Sequence, residues 1–142
     1  MFAKQLTVFI ENRAGRLSEV LGVLKSNGVN IISLSLADTT EFGLLRLIVS
    51  DSETAKAKLT ENGFSSLLSD VSIIEIAHTA GSLQQLLKVI DENGVNIEYM
   101  YALSIEAETA YVVLKASDSE KIDAILASAG IRTLGNADLS HF

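Results

Sequence analysis

The 142-residue sequence predicts an α+β chain, with two tandem copies of one β-α-β-β-α-β unit at 1–69 and 70–142. Three observations carry that prediction. Ala14-Gly15-Arg16-Leu17 recurs as Ala80-Gly81-Ser82-Leu83, and Asn27-Gly28-Val29-Asn30-Ile31 as Asn93-Gly94-Val95-Asn96-Ile97. Both recurrences lie 66 residues on, with 10 identities in the 20 positions between 12–31 and 78–97. Such a period is too long for a solenoid unit and suits a small complete domain. Within each copy the hydrophobic pattern alternates between the rhythm of strands and the rhythm of helices, in the same order.

The elements follow one another in the same sequence in both copies. Leu6, Val8 and Ile10 alternate with Thr7 and Phe9 and predict a strand, matched by Val71–Ile76. Leu17, Val20, Leu21 and Leu24 are spaced i, i+3, i+4, i+7 and predict an amphipathic helix; Leu83, Leu86, Leu87 and Ile90 repeat it. These stripes are expected in the core. Asn27-Gly28 and Asn93-Gly94 stop the helices, because both residues accept a left-handed C-cap. Two strands come next: Ile31–Ala37 and Leu44–Val49 around the polar turn Asp38–Glu41, then Ile97–Leu103 and Ala110–Leu114 around a tip at Glu106–Glu108. Ser50 with Glu53, and Ser117 with Glu120, predict capping boxes for a second helix. The latter pair lies 67 residues on, which implies a one-residue insertion in the second hairpin. Ile122, Ile125, Leu126 and Ala129 give that helix a clear stripe, Ala55 and Leu59 a weaker one. Gly63 and Gly130 end the helices, and short strands are expected at Phe64–Leu68 and Ile131–Leu134, with Ser69-Asp70 as the linker. With right-handed crossovers each unit closes as a four-stranded antiparallel sheet with both helices on one face, the ferredoxin-like plan.

Composition narrows what such a chain does. Hydrophobic residues at 48% exclude disorder, and zero Cys with two His leaves little for nucleophilic or metal chemistry. A net charge of −7 disfavours nucleic-acid backbones. The strand Leu44–Val49 also lacks the aromatic residues of an RNA-reading sheet. The repeated positions are Gly, Asn, Leu and Ile rather than convergent titratable groups, so no enzyme is expected. No run is long enough to span a membrane, and Met1–Gln5 enters a strand without a leader, so a cytoplasmic location is expected.

The turn Asn12-Arg13-Ala14-Gly15-Arg16-Leu17, its helix and the entry Gly28-Val29-Asn30-Ile31 resemble the ACT domain family. Ala80-Gly81-Ser82-Leu83 and Gly94-Val95-Asn96-Ile97 repeat the likeness. The family's turn often carries Pro before its Gly, where Ala14 and Ala80 stand here. The resemblance implies a non-catalytic regulatory protein that binds a free amino acid or similar small metabolite where ACT domains pair. It would signal to a regulated enzyme or regulator. The ligand loops it points to are Asn12, Arg13, Ala14, Gly15, Arg16 and Leu17 with Asn30 and Ile31, and His78, Gly81 and Leu83 with Asn96 and Ile97. No catalytic residue, metal or cofactor is expected.

The chemistry of these residues suits an amino acid. Backbone N–H groups at Gly15, Arg16 and Leu17 match a carboxylate. The Asn12 side-chain oxygen and polar groups near Asn30 accept from an ammonium, and Leu17 and Ile31 border the side chain. The first copy is expected to be preferred on three grounds. Asn12 stands where His78 is bulkier, Arg13 and Arg16 are positive where Thr79 and Ser82 are neutral, and Glu98 is negative where Ile32 stands.

Plainer readings stand beside these. Gly15 and Gly81 serve equally as turn glycines, Asn30 and Asn96 as shapers of a strand entry, and His78 as a surface residue. Tyr99 and Tyr101 suit sheet packing or an interface, and His141 falls in a terminus expected to fray. The alternative function is a ligand-free oligomerisation or partner-regulatory module. Ile31–Ala37 is apolar, uncharged and without Lys or Pro guards, so it predicts an edge strand that pairs in a homodimer.

Overall fold

A computed structural model describes residues 1–39 and 41–142. The chain forms two compact units: Lys4–Ser69, the first repeat, and Met1–Ala3 with Asp70–Phe142, the second. The first repeat holds β1 (Ala3–Glu11), α1 (Arg16–Ser26), β2 (Ile31–Asp38), β3 (Phe42–Val49), α2 (Ser52–Glu61) and the start of β4 (Ser65–Ala77). Its strand order is β2-β3-β1-β4, with β3 antiparallel to both β1 and β2. Leu6 and Val8 of β1 sit opposite Leu47 and Leu45 of β3, so these apolar residues share one face. Val20 and Leu24 of α1, with Ala55 and Leu59 of α2, pack on that face and close the core.

The second repeat continues with α3 (Ser82–Glu92), β5 (Ile97–Ile105), β6 (Thr109–Ala116), α4 (Ser119–Ser128) and β7 (Thr133–Leu134). Here the order is β7-β4-β6-β5. Ile74 and Leu114 from the sheet meet Leu86 and Ile90 of α3 and Ile122 and Leu126 of α4. Each repeat is therefore the ferredoxin-like plan expected from the order of elements.

Several local expectations are corrected. The residues Phe64–Leu68, Ser69-Asp70 and Val71–Ile76 do not form two strands and a linker; all from Ser65 to Ala77 are one extended strand. No Gly or Pro interrupts the run, so nothing local breaks it. The last strand is only Thr133–Leu134, opposite Ile74 and Ile73, because Ile131 still belongs to the end of α4, its N–H on the Leu126 carbonyl at 2.9 Å; after Gly135 a 3-10 helix runs over Asn136–His141. That helix buries Leu139 and caps itself through the Gly135 N–H on Asp138 Oδ2 at 2.8 Å, so His141 is not in a frayed tail. Leu83, expected in the core, is 39% exposed, and the stripe is buried only from Leu86 and Ile90 onward. The expected turn Asp38–Glu41 includes Thr40, which lies outside the described residues. The one-residue insertion is absorbed inside β5. Ala102 pairs with Val112 and Ser104 with Tyr111, leaving Leu103 as an extra, bulged residue.

The helix caps also differ from the expected boxes. Asp51 and Asp118, not Ser50 and Ser117, are the N-caps of α2 and α4. Asp118 accepts the Lys121 N–H at 3.0 Å; Asp51 accepts the Thr54 N–H at 3.1 Å and its hydroxyl at 2.7 Å. The serines are used elsewhere, as described below. The Thr54 hydroxyl first, and then its N–H, hold the Asp51 carboxyl below the usual aspartate range. A carboxyl lowered in the folded state stabilises the fold above its unfolded pKa and loses that contribution as pH falls through the folded value. Below about pH 4 the stability of Asp51→Ala should therefore fall less steeply than that of the wild type. Chemical denaturation across that range checks this, and parallel curves would remove Asp51 from the acid response.

Candidate ligand site at the first turn of α1

Gly15 precedes α1 with φ 89° and ψ −15°, and Gly81 precedes α3 with φ 86° and ψ −9°. This left-handed backbone is open to Gly and strained for most other residues. Neither glycine offers a side-chain cap, and the first N–H of each helix is taken within the turn: Arg16 N–H, expected to be free for a carboxylate, donates to the Arg13 carbonyl at 3.5 Å, and Ser82 N–H to the Thr79 carbonyl at 3.2 Å. Glu19 N–H bonds back to the Gly15 carbonyl at 3.0 Å, which leaves the Leu17 and Ser18 N–H groups unpaired among the described residues. A groove of about 370 Å³ opens beside this turn. Glu11, Asn12, Arg13 and Leu17 line it together with Leu36, Asp38 and Gly43.

The lining shows what sequence reasoning missed. Leu36–Asp38 at the end of β2, with Gly43, border the turn because the β2–β3 hairpin returns its tip beside the end of β1, with Ile10 opposite Gly43. Strand order carried that signal in principle. Asn30 and Ile31, in contrast, do not join the turn. They lie at the other end of α1, which at 11 residues is about 16 Å long, and line a separate hollow with Leu21, Leu24 and Gly28.

Asn30 and Asn96 tie the strand entry to the exit of the hairpin. The Asn30 N–H donates to Ser50 Oγ at 2.9 Å, and its carbonyl accepts the Ser50 N–H at 2.9 Å. In the second repeat Asn96 Nδ2 donates to Ser117 Oγ at 3.2 Å, and the Asn96 carbonyl accepts the Ser117 N–H at 3.0 Å. This is why the serines do not cap. Ile97, like Ile31, is half-buried at the strand start, remote from Gly81.

Two of the three grounds for preferring the first repeat are not met. Arg13 is held by Glu11 at 3.2 Å, and Arg16 by Glu19 at 2.6 Å. The Arg16 side chain is only 13% exposed and lies over the Phe64 ring, its Cζ 4.2 Å from the centroid. It is therefore turned away from the turn and into the repeat. Glu98 occupies a bulge between Ile97 and Tyr99, at the far end of α3 from Gly81. What remains is the contrast at the first turn position. Asn12 is exposed on the groove, and His78 is exposed with its N–H on the Glu108 carbonyl at 2.9 Å. Ala14 and Ala80 are exposed beside their glycines. Tyr99 and Tyr101 stack at 6.5 Å between ring centroids.

The sequence and fold have counterparts among known proteins. The family model of the ACT domain pair matches residues 1–142. The chain belongs to the ACT domain family. It is 30% identical over 133 residues to the acetolactate synthase isozyme 3 small subunit of Salmonella typhimurium, covering 87% of this chain and 82% of that one. A crystal structure of a Bacteroides thetaiotaomicron protein is 37% identical, with a TM-score of 0.92 over 98% of this chain and 96% of the other. The ligand-free regulatory subunit of Thermus thermophilus aspartate kinase shares the fold at 16% identity, with a TM-score of 0.64 and coverage of 89% and 90%. No helix among the described residues of the ACT pair is long and apolar enough to cross a membrane.

Proposed function

We propose that this ACT pair is a non-catalytic, cytoplasmic regulatory subunit that binds a free amino acid and transmits its occupancy to a biosynthetic enzyme. The two ACT domains are taken as 1–69 and 70–142. One observation carries the ligand reading: a helix N-terminus left uncapped by a left-handed Gly15, opening on a groove with an apolar wall at Leu17 and Leu36. The carboxylate takes the Leu17 and Ser18 N–H groups, and the Asn12 side-chain oxygen accepts from the ammonium. Likeness to a synthase small subunit supports the regulatory role. The subunit acts as a homodimer through β2, the outermost strand of its repeat, which leaves Leu34 and Leu36 50% and 53% exposed. Leu36 also borders the groove, so pairing of this edge encloses the ligand.

A thermal-shift series against each common amino acid, with sedimentation of the same samples, tests the reading. One amino acid at about 100 times its Kd should add about 2.7 kcal/mol of stability. No shift with any of them would leave only the oligomerisation role, and a 15.2 kDa species in sedimentation would remove the homodimer.

A further inference from the structure

The two repeats differ where α1 and α3 face the turn after the following helix. In the first repeat part of that space is filled by the chain's own cation, which leaves a smaller hollow of about 410 Å³ beside Glu19, Val23 and Phe64. The Arg16 stem runs inward, its guanidinium rests on Phe64 and its Nη1 donates to Glu19 Oε2 at 2.6 Å. Its Nε is buried and has no hydrogen-bond partner. In the second repeat the corresponding residues are Ser82, Ile131 and Gln85, so both the stem and the ring are absent. A cavity of about 660 Å³ takes their place, within the range of small-molecule sites. Ile76, Leu86, Val89 and Ile131 form its apolar walls, and Ser82, Gln85 and Thr109 add polar groups.

The rim sets the sign of what enters. Glu75, Glu108 and Arg132 line it, and Arg132 Nη1 already donates to Glu75 Oε2 at 2.9 Å. Glu108 is exposed and has no ion-pair partner among the described residues. Two carboxylates against one committed guanidinium leave a net negative rim over a hollow with apolar walls and a polar share. The neighbouring Tyr111 hydroxyl is pushed up chiefly by burial and then by Glu75 and Glu106, in keeping with that field.

We propose that the second repeat binds a small organic cation with an aliphatic stem, an alkylguanidinium or alkylammonium, in the hollow left open where Ser82 and Ile131 replace Arg16 and Phe64. The stem lies on Ile76, Leu86, Val89 and Ile131, and the charged head meets Glu108. A carboxylate on the ligand is disfavoured by Glu75 and Glu108. This site is separate from the amino-acid turn, which needs a carboxylate, so either can fail alone.

The test uses propylguanidine, the outer part of an arginine side chain, with butanoate as the control of opposite charge. Methyl NMR of Ile76, Leu86, Val89 and Ile131 reads the site. Propylguanidine should shift these signals in the wild type, and butanoate should not. Glu108→Gln should weaken binding roughly tenfold, the usual scale for loss of one charged hydrogen-bond partner. Ser82→Arg with Ile131→Phe supplies the plug internally and should abolish the response, while circular dichroism stays unchanged. Arg16→Ser should open a matching hollow in the first repeat that the same probe refills. A wild type silent to propylguanidine overturns the site whatever the variants do. Equal shifts from butanoate overturn the ligand class, and full binding in the plugged variant places the probe elsewhere.

Discussion

Gly15→Val is expected to abolish the stabilisation that an amino acid gives this protein, and to lower the stability of the free protein by about 1–3 kcal/mol. The second effect comes from the backbone alone. At φ 89° a β-branched residue is strained, and a Cβ there meets nothing within 4 Å, so no clash contributes. The first effect comes from the same empty space. The Cβ and its two methyls stand in the open volume beside the Leu17 and Ser18 N–H groups, where a carboxylate must approach. Gly63→Val is the matched control: φ is 82°, the space around it is also clear, and it follows α2. It should cost similar stability and keep the amino-acid shift. Loss of the shift in Gly81→Val but not in Gly15→Val would assign the ligand to the second repeat, and indifference to both would place it away from the two turns.

Leu59→Ala should destabilise the protein by about 2–5 kcal/mol, the largest stability effect expected from one side chain here. Leu59 is fully buried, and with Ala55 it is all that α2 buries. α1 by contrast has Val20 and Leu24 buried with Leu17, Leu21 and Val23 packed beside them. Truncation thus leaves a cavity and takes the main anchor from a helix whose other residues, apart from Ala55 and Ala57, are polar. The Phe64 N–H also bonds to the Leu59 carbonyl at 2.9 Å, so loosening α2 disturbs the ring under Arg16. Denaturation midpoints measure the loss. A change below about 1 kcal/mol would show that α2 is not held by this contact.

The duplicated motifs, the alternation at Leu6, Val8 and Ile10, and the Asn-Gly stops after α1 and α3 determined the βαββαβ order and the family by themselves. Those signals are local: a pleat, a 3.6-residue stripe and a left-handed cap are each set by residues a few positions apart. The glycines at the turns were legible for the same reason. What the tertiary structure decided was which of those loops share a site. Asn30 and Ile31 follow Leu17 closely in sequence, yet a helix of 11 residues holds them at its other end, while Leu36 and Gly43 return to the turn through strand pairing. Charge was equally undecided by the sequence. Arg13 and Arg16 read as a positive patch, but Glu11 and Glu19 neutralise them, and Phe64 draws Arg16 inward. Glu11 and Glu19 are near in sequence, but only the fold fixes which way each side chain turns. The Arg16 plug and the open hollow at Ser82 depend on Phe64 and Ile131, contacts made across the core between distant segments. Local periodicity determines elements; the packing of one element on another determines sites.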